Sequence, residues 1–539
     1  MAKQYFVLGI GGTGMRCIES LVHLCAMGMF DDTDLHLLAL DTDKDNGNFK
    51  RLKDLKEAYL GVKGLPEDKR SAHTETFFSA NIKYYQFSPN YEDQCSFKDV
   101  FHYGDAAERN SEQRQTDLAD LVFTKDVEEF NLRHGYRAQT HLGSMMMYRS
   151  IVEAAKNERG SDLKKFLQSL ISVCEEGSSP RLFILGSVFG GTGASSIPVI
   201  PKALSDAVTS LSHGNINLYR SAFFGSTLLT SYFTFKLPSD SEQKSQKIVA
   251  SSDKFALNSQ AAMMFYNDDT TVKQTYQRFY MMGTSEMKWD VQSKKKENET
   301  ITGGKEQENP SHYIELLAAC AAWDFFQLSD DELKINKDHK KTDYCYRSID
   351  DNGILEFQDF VDKNRAKEFG KKFGLLLAFS LFNNTEDDFV AAMQSGKQGM
   401  NDFEDMAVEQ VNALKTYFEM FHLKIEKDGS LTDGWLRQIY RSAEQGEKFV
   451  FNSEMFSATN YRELYNIHWS DKLYKPTCIC KDNSYGDAKT LFGYNKSKRF
   501  DAFKKMFIEV NKNKNSIPNR GEQLIKEIYD TLVKLYKFN

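Results

Sequence analysis

Apolar residues near the start of the chain follow the period of a strand and then that of a helix. The run "YFVLGI" predicts a buried strand. After the glycines of "GGTG", apolar residues recur at helical spacing at Cys17, Leu21, Val22, Leu24 and Cys25. The next apolar run, "DLHLLALDTD", predicts a second strand that ends in two aspartates. This order predicts an open parallel sheet whose ligand lies beyond the carboxyl ends of the strands.

The same pattern of strand, glycine turn and helix recurs in "LFILGSVFGGTGASS" (182–196). It is preceded by a glycine-bearing loop and helix in "HGYRAQTHLGSMMMYRSIVEAA" (134–155), and "INLYRSAFFGS" and "RFYMMGTS" predict two more strands. Residues 44–134 are long and polar, and a connection of that length is uncommon inside a compact domain. They are therefore predicted to form an insertion.

A helix that is apolar on nearly all sides is predicted at 311–328, "SHYIELLAACAAWDFFQL", and this pattern favours burial between two units. From about residue 360 onward the patterns are mostly helical. The prediction is an α/β fold with a domain at 1–310 that carries the glycine turns, a core helix at 311–328, and a mostly helical C-terminal domain at 329–539.

Composition narrows the class of protein. The chain has 539 residues, 41% of them hydrophobic and 27% charged, which is typical of a globular protein with more than one packed unit. A net charge of -7 does not indicate nucleic-acid binding by the whole protein, and the basic stretch 493–514 leaves that question open locally. The eight cysteines form no zinc set, and neither a signal peptide nor a membrane span is predicted, so we expect a cytoplasmic protein.

The two glycine turns carry the candidate chemistry. A glycine turn that opens a helix presents backbone N–H groups at the positive end of the helix dipole, which favours phosphate. The first turn, 9–14, matches G-x-G-x-x-G, a match that on its own is also typical of a dinucleotide site or a tight turn. The second turn, 190–195, indicates a polyphosphate. Neither turn has the lysine of a Walker A loop, so binding rests on amides, hydroxyls and a metal ion.

Four motifs in order, "GIGGTGMRC", "LALDTD", "GYRAQTHLGS" and "FGGTGAS", resemble the phosphate loops and signature of the tubulin/FtsZ superfamily of GTPases, particularly its divergent bacterial tubulin-like members. Phe189 and Ser195 stand where that signature has glycines. The resemblance implies a Rossmann-like sheet of tubulin/FtsZ type beside a central core helix, with GTP and Mg²⁺ bound. It also implies head-to-tail assembly into filaments or oligomers, with hydrolysis completed by a neighbouring subunit.

The resemblance assigns residues to the nucleotide from the phosphates to the base. Asp43 is assigned to the metal as well as to the nucleotide. The assigned residues are Gly11, Gly12, Thr13, Gly14 and Asp43 near the α- and β-phosphates, Gly135, Arg137 and Gly143 near the γ-phosphate, Gly190, Gly191, Thr192, Gly193 and Ser195 around the phosphate chain, and Tyr313 on the base.

The resemblance specifies less well which residue would recognise the base and which would supply the acid for hydrolysis. The guanine-reading asparagine of the family falls on Leu317, which leaves His312, Glu315 or, on a competing alignment, Asn258 as substitutes. The segment "GILEFQDF" (353–360) resembles the loop that supplies the catalytic acid to the next subunit. It makes Asp359 the first candidate and Glu356 the second, and each is also typical of an ordinary acid at a helix start.

Two other functions fit parts of the pattern. A nucleotide-gated scaffold with little hydrolysis would bind protein partners through the insertion or the C-terminal domain. An NAD-dependent oxidoreductase would use the first glycine turn alone, and it leaves the second turn unexplained.

Overall fold

The structure is a computed structural model of the chain. It describes residues 3–67, 69–91, 95–101, 120–132, 135–136, 139–157, 160–234, 251–284, 304–305, 307, 309–349, 363–385, 387–395, 408–428, 431–445, 448–449, 496–511 and 519–535. Over these residues one large sheet carries the fold, and two small antiparallel sheets lie in the C-terminal part.

The large sheet has seven parallel strands in the order β3-β2-β1-β4-β5-β6-β7. The strands are β1 (Lys3–Ile10), β2 (Thr33–Leu40), β3 (Asn81–Phe87), β4 (Arg181–Leu185), β5 (Phe223–Leu229), β6 (Arg278–Thr284) and β7 (Asp343–Ile349). The small sheets pair β8 (Leu423–Ile425) with β9 (Leu431–Asp433), and β10 (Glu444–Gln445) with β11 (Lys448–Phe449). The predicted α/β class is confirmed.

Helices connect the strands and cover the sheet. In the first part of the chain they are α1 (Gly11–Ala26), α2 (Gly47–Lys63), α3 (Phe97–Val100), α4 (Lys125–Glu129), α5 (Thr140–Asn157), α6 (Asp162–Glu175), α7 (Gly191–Ser196), α8 (Ile200–Leu211), α9 (Leu218–Ser221), α10 (Phe255–Asp268) and α11 (Thr270–Thr275). They continue as α12 (Tyr313–Gln327), α13 (Asp330–Asp338), α14 (Lys363–Thr385), α15 (Asp387–Ser395), α16 (Val408–Phe421), α17 (Trp435–Ala443), α18 (Lys496–Asn511) and α19 (Arg520–Leu535). Within the described residues, every helix is too short or too polar to span a membrane.

Both faces of the sheet are buried. Tyr5 and Val7 of β1 belong to one hydrophobic cluster, and Phe6, Leu8 and Ile10 belong to the other. Alternate side chains of a strand point to opposite faces, so a strand covered on both sides is apolar throughout its length. The core helix α12 lies in the first cluster, with each of its residues buried except Gln327.

The structure corrects part of the predicted insertion at residues 44–134. Helix α2 and strand β3 lie within this range, and β3 pairs in parallel with β2 as the edge of the sheet. Strand β3 carries polar residues because an edge strand is half-covered, and Lys83, Tyr84 and Gln86 keep part of their surface accessible.

The opposite edge of the sheet also differs from the prediction. Strand β7 follows the core helix and pairs with β6, so the range 329–539 contributes a strand to the sheet and is not a separate helical domain throughout. Further contacts join the C-terminal part to the sheet domain: a Cβ placed on Gly61 of α2 would lie 2.5 Å from Cβ of Ala413 in α16. A close approach of this kind packs the two helices against each other.

Candidate functional site

The two glycine turns lie side by side at the carboxyl end of the sheet. The first follows β1 and the second follows β4, and these strands are paired neighbours. A Cβ placed on Gly11 would lie 3.6 Å from Thr192 Cβ. Thr42 Oγ1 lies 3.4 Å from Thr192 Oγ1, and a Cβ placed on Gly135 would lie 3.3 Å from Thr42 Oγ1. We call Gly11, Thr42, Gly135 and Thr192 the turn cluster.

The position of the turn cluster matches the rule for open parallel sheets. Strand order reverses between β1 and β4, because the chain runs outward from β1 through β2 to β3 and then returns to the other side of β1. Ligands bind in the crevice outside the carboxyl ends of the strands at such a switch point. The turn cluster therefore lies where this fold class places a ligand.

The helix starts beside the turn cluster suit an anion. Helix α1 begins at Gly11 directly after β1, and its first turn has no side-chain cap. The second turn, with Gly190 at the capping position of α7, also has no side-chain cap. The φ of Gly11 is +69°, a conformation that favours glycine. Backbone N–H groups at the positive end of the dipole of α1 attract negative charge.

The predicted residues divide into an accessible group and a supporting group. Gly12, Gly190, Gly191 and Thr192 keep part of their surface accessible. The buried members of the prediction are Gly11, Thr13, Gly14, Asp43, Gly135, Gly143, Gly193, Ser195 and Tyr313. Only the accessible group presents surface to a ligand in this arrangement, and much of the buried group shapes the turns.

Three buried glycines allow close approaches. A Cβ on Gly14 would lie 2.4 Å from the carbonyl oxygen of Leu185, and one on Gly193 would lie 2.4 Å from that of Ser187. A Cβ on Gly143 would lie 2.7 Å from Ser195 Oγ. Ser195 itself is fully buried, and its hydroxyl donates to the carbonyl of Thr192 (3.0 Å). These residues pack the turns together, which is a supporting role.

Two carboxyl groups follow β2 beside the turn cluster. Asp41 accepts hydrogen bonds from the Asp43 amide (3.2 Å) and from Asn46 Nδ2 (2.8 Å). Burial raises the pKa of Asp41 to about 7, and the nearby Asp43 carboxylate adds to this, against those hydrogen bonds. Asp43 accepts from the amide of Asp45 (3.1 Å) and from the amide of Gly304.

The side-chain oxygen atoms that follow β2 suit a hard cation that takes its remaining ligands from bound phosphate and water. Asp41, Thr42 and Asp43 offer carboxylate and hydroxyl oxygens, which Mg²⁺ prefers. Among the described residues no group of three or more His, Cys, Asp or Glu side chains is placed to hold a metal ion. A magnesium ion here would thus draw further ligands from phosphate oxygens and water, which is how Mg²⁺ is usually bound with nucleotides.

A buried ion pair lies directly behind the first turn. Arg16 Nε is 2.6 Å from Glu315 Oε1, and both side chains are almost fully buried. Arg16 also donates to Tyr232 (3.2 Å) and to Thr13 Oγ1 (3.4 Å). Burial alone would lower the pKa of Arg16, but Glu315 and Tyr232 raise it, so the guanidinium stays charged. The pair ties the first turn to the core helix.

The residues predicted to contact the nucleotide base lie in different surroundings. Tyr313 is fully buried in the core, so its ring presents no surface to a base in this arrangement. His312 is buried and Glu315 is paired with Arg16. Asn258, the choice of the competing alignment, is half-buried and donates to the carbonyl of Phe189 (3.3 Å), next to the second turn.

Three predicted residues lie outside the described part of the chain. They are Arg137, Asp359 and Glu356. Their roles, phosphate contact for Arg137 and catalysis for the two acids, stay predictions from the family resemblance.

The sequence analysis missed several polar residues near the first turn. Asp41, Thr42 and Asn46 lie in the turn after β2, and Asn48 lies in the first turn of α2; a run of turn-forming polar residues at a strand end was a readable signal for them. Gln307 also contacts this turn, through Asn46 and Asn48. It comes from a segment 261 residues further along the chain, and no local pattern pointed to it.

Comparisons with known proteins leave the family open. No family model matches the chain, and no curated protein matches it. Among solved structures, it is similar to the TubZ protein of Clostridium botulinum phage c-st with its C-terminal tail truncated. The identity is 13% and the TM-score 0.23, over 63% of this chain and 66% of that chain, just under two thirds of its length. A likeness this distant shows neither a family nor a function, and the fold described above rests on the chain's own strands.

Proposed function

We propose that the protein binds a nucleoside triphosphate, GTP, together with Mg²⁺ at the turn cluster, and that it assembles head to tail into filaments or oligomers. In this proposal a neighbouring subunit completes GTP hydrolysis. The observation that carries it is the meeting of two lysine-free glycine turns at the switch point of one sheet, with Thr192 between Gly11 and Thr42.

Two glycine turns that meet at one point favour a triphosphate as the ligand. A dinucleotide site on a sheet of this class requires one glycine turn, whereas here the second turn lies in contact with the first. Preorganised amides and hydroxyls, aided by a metal ion, supply the charge stabilisation that phosphoryl transfer requires. The opposite charges of buried Arg16 and Glu315 cancel each other behind the first turn. Backbone dipoles and magnesium would therefore have to offset the negative charge of the phosphates.

Replacing Thr192 with valine is expected to weaken GTP binding about tenfold, because one hydrogen bond to a charged phosphate contributes on the order of 1.5 kcal/mol. Valine keeps the size of the side chain and removes only the hydroxyl. Isothermal titration with GTP and Mg²⁺ measures the effect.

The exposed Thr271 of α11 supplies the matched control. Thr271→Val should leave the Kd unchanged, and both variants should keep the thermal midpoint of the natural protein. Equal affinity in Thr192→Val and Thr271→Val would place the phosphate elsewhere. Bound NAD in place of GTP would favour the oxidoreductase.

Hydrolysis that needs two subunits depends on protein concentration. Phosphate release per subunit is expected to rise with concentration, together with light scattering, because a head-to-tail interface need not close. Asp359→Ala should spare GTP binding and slow turnover about a hundredfold, the usual contribution of a positioned acid or base. Turnover per subunit that stays constant over the range of concentrations would contradict a shared site. Binding with negligible turnover at all concentrations would favour the nucleotide-gated scaffold.

A further inference from the structure

A short segment before the core helix lies over the turn that follows β2. Its described residues are Gly304, Lys305, Gln307 and Asn309, and we call them the strap. The strap contacts the side chain of Asp43, which is the proposed metal ligand. It therefore lies against the part of the site where a magnesium ion would be held.

Hydrogen bonds made by Gly304 and Gln307 hold the strap in place. The amide of Gly304 donates to Asp43 Oδ2, and the Gly304 carbonyl accepts from the amide of Gly47 (3.3 Å). Gln307 accepts from Asn46 Nδ2 at its side-chain oxygen (3.0 Å) and from Asn48 Nδ2 at its main-chain oxygen (3.1 Å). The strap thus presents a donor to the carboxylate and acceptors to the amides.

The groups beneath the strap adjoin the first glycine turn. A Cβ placed on Gly12 would lie 3.2 Å from Asn48 Nδ2 and 3.7 Å from Asn46 Nδ2. Gly12 is partly accessible, whereas Asn46 and Asn48 are 3% and 1% exposed. The two amides are therefore next to a proposed phosphate contact and are covered.

One buried oxygen atom beneath the strap is unsatisfied. Asn48 Oδ1 is buried and has no hydrogen-bond partner in the described part of the chain. A buried polar atom without a partner carries a free-energy cost that folded proteins generally avoid. A ligand hydroxyl, a metal ion or a metal-bound water would satisfy this oxygen.

We propose that the strap is an autoinhibitory segment that competes with the Mg²⁺-bound end of the nucleotide for Asp43, Asn46 and Asn48. This inference rests on the proposed function. The Gly304 amide presents its hydrogen to Asp43, where a cation would have to bind, so the strap must move before the metal is held. Because the strap continues into the segment before α12, where Arg51 Nη1 donates to the Asn309 carbonyl (3.0 Å), its release would change contacts at the start of the core helix.

The test compares two variants of the full chain. Gln307→Ala removes the side-chain acceptor of Asn46, whereas Lys305→Ala alters an exposed strap side chain and serves as the control. Without a strap anchor the competition weakens, so Gln307→Ala should bind GTP with Mg²⁺ about fivefold more tightly, the effect of one hydrogen bond. Lys305→Ala should bind as the natural protein does.

Hydrogen exchange supplies a second readout that does not depend on turnover. Adding GTP with Mg²⁺ to the natural protein should speed exchange in peptides that contain Gly304 and Gln307, because the strap is displaced. Unchanged or weaker binding by Gln307→Ala, or slower strap exchange on adding the ligand, overturns the inference and leaves the proposed function intact. Absence of GTP binding by the natural protein and both variants overturns the proposed function, and this inference with it.

Discussion

Arg16→Met is expected to lower the free energy of unfolding by about 3 to 5 kcal/mol, the usual cost of leaving one member of a buried ion pair alone. The substitution removes the partner that lies 2.6 Å from Glu315 while filling much of the space of the arginine stem. Glu315, fully buried, would keep the Tyr232 hydroxyl and the His312 amide as donors but would lose its positive charge. Urea unfolding followed by circular dichroism measures the change.

An exposed pair in the next helix supplies the control. Lys50 and Asp54 form an i,i+4 pair with side chains 76% and 43% exposed. Lys50→Met should cost less than about 1 kcal/mol, because exposed ion pairs contribute little. Adding Glu315→Gln to Arg16→Met should recover part of the loss, since no unpaired charge then remains buried. Equal costs for Arg16→Met and Lys50→Met would show that the pair is not buried as described.

Acidification from pH 7 to pH 5 is expected to remove about 4 kcal/mol of stability through His36 and His422 alone, about 2 kcal/mol each. Burial, aided by Lys83 for His36 and by Arg437 for His422, lowers the pKa of each imidazole to about 3. The unfolded chain takes up these protons near pH 6.5. The contribution is therefore fully present above that pH, and it is lost progressively as the pH falls toward 3.

Other buried titratable groups change the stability at low pH, some lowering it and others raising it. Burial also lowers the pKa of His23 and His312 well below the usual range, which adds to the loss. Burial raises the pKa of Asp41, Glu128 and Glu315, and a carboxyl group whose pKa is raised on folding opposes the loss.

Single variants isolate the histidine contribution. In His36→Gln the difference in unfolding free energy between pH 7 and pH 5 should shrink by about 2 kcal/mol, because glutamine does not titrate. The exposed His213 supplies the control, and His213→Gln should leave the difference unchanged. Urea titrations at the two pH values measure it. An unaltered difference in His36→Gln would mean that this imidazole is protonated in the folded protein.

The sequence predicted the central strands, which are mostly apolar. Strands β1, β2 and β4 are buried over most of their length, so a largely apolar run identified each of them. The edge strands β3 and β7 were missed because edge strands carry polar residues, as Lys83 and Asp343 show. In β3 and β7, the polarity that indicated an insertion or a separate domain reflected a position at the sheet edge.

Local sequence also determined the two glycine turns, because a strand that breaks into Gly-Thr-Gly and resumes at helical spacing has few other conformations. Only the tertiary structure decided that the turns meet. Gly11 and Thr192 come together because β4 pairs with β1, and strand pairing over such a separation depends on the packing of the whole sheet. The pairing of Arg16 with Glu315, and the strap over Asp43, likewise join residues far apart in the chain, where no local periodicity carries information about contact.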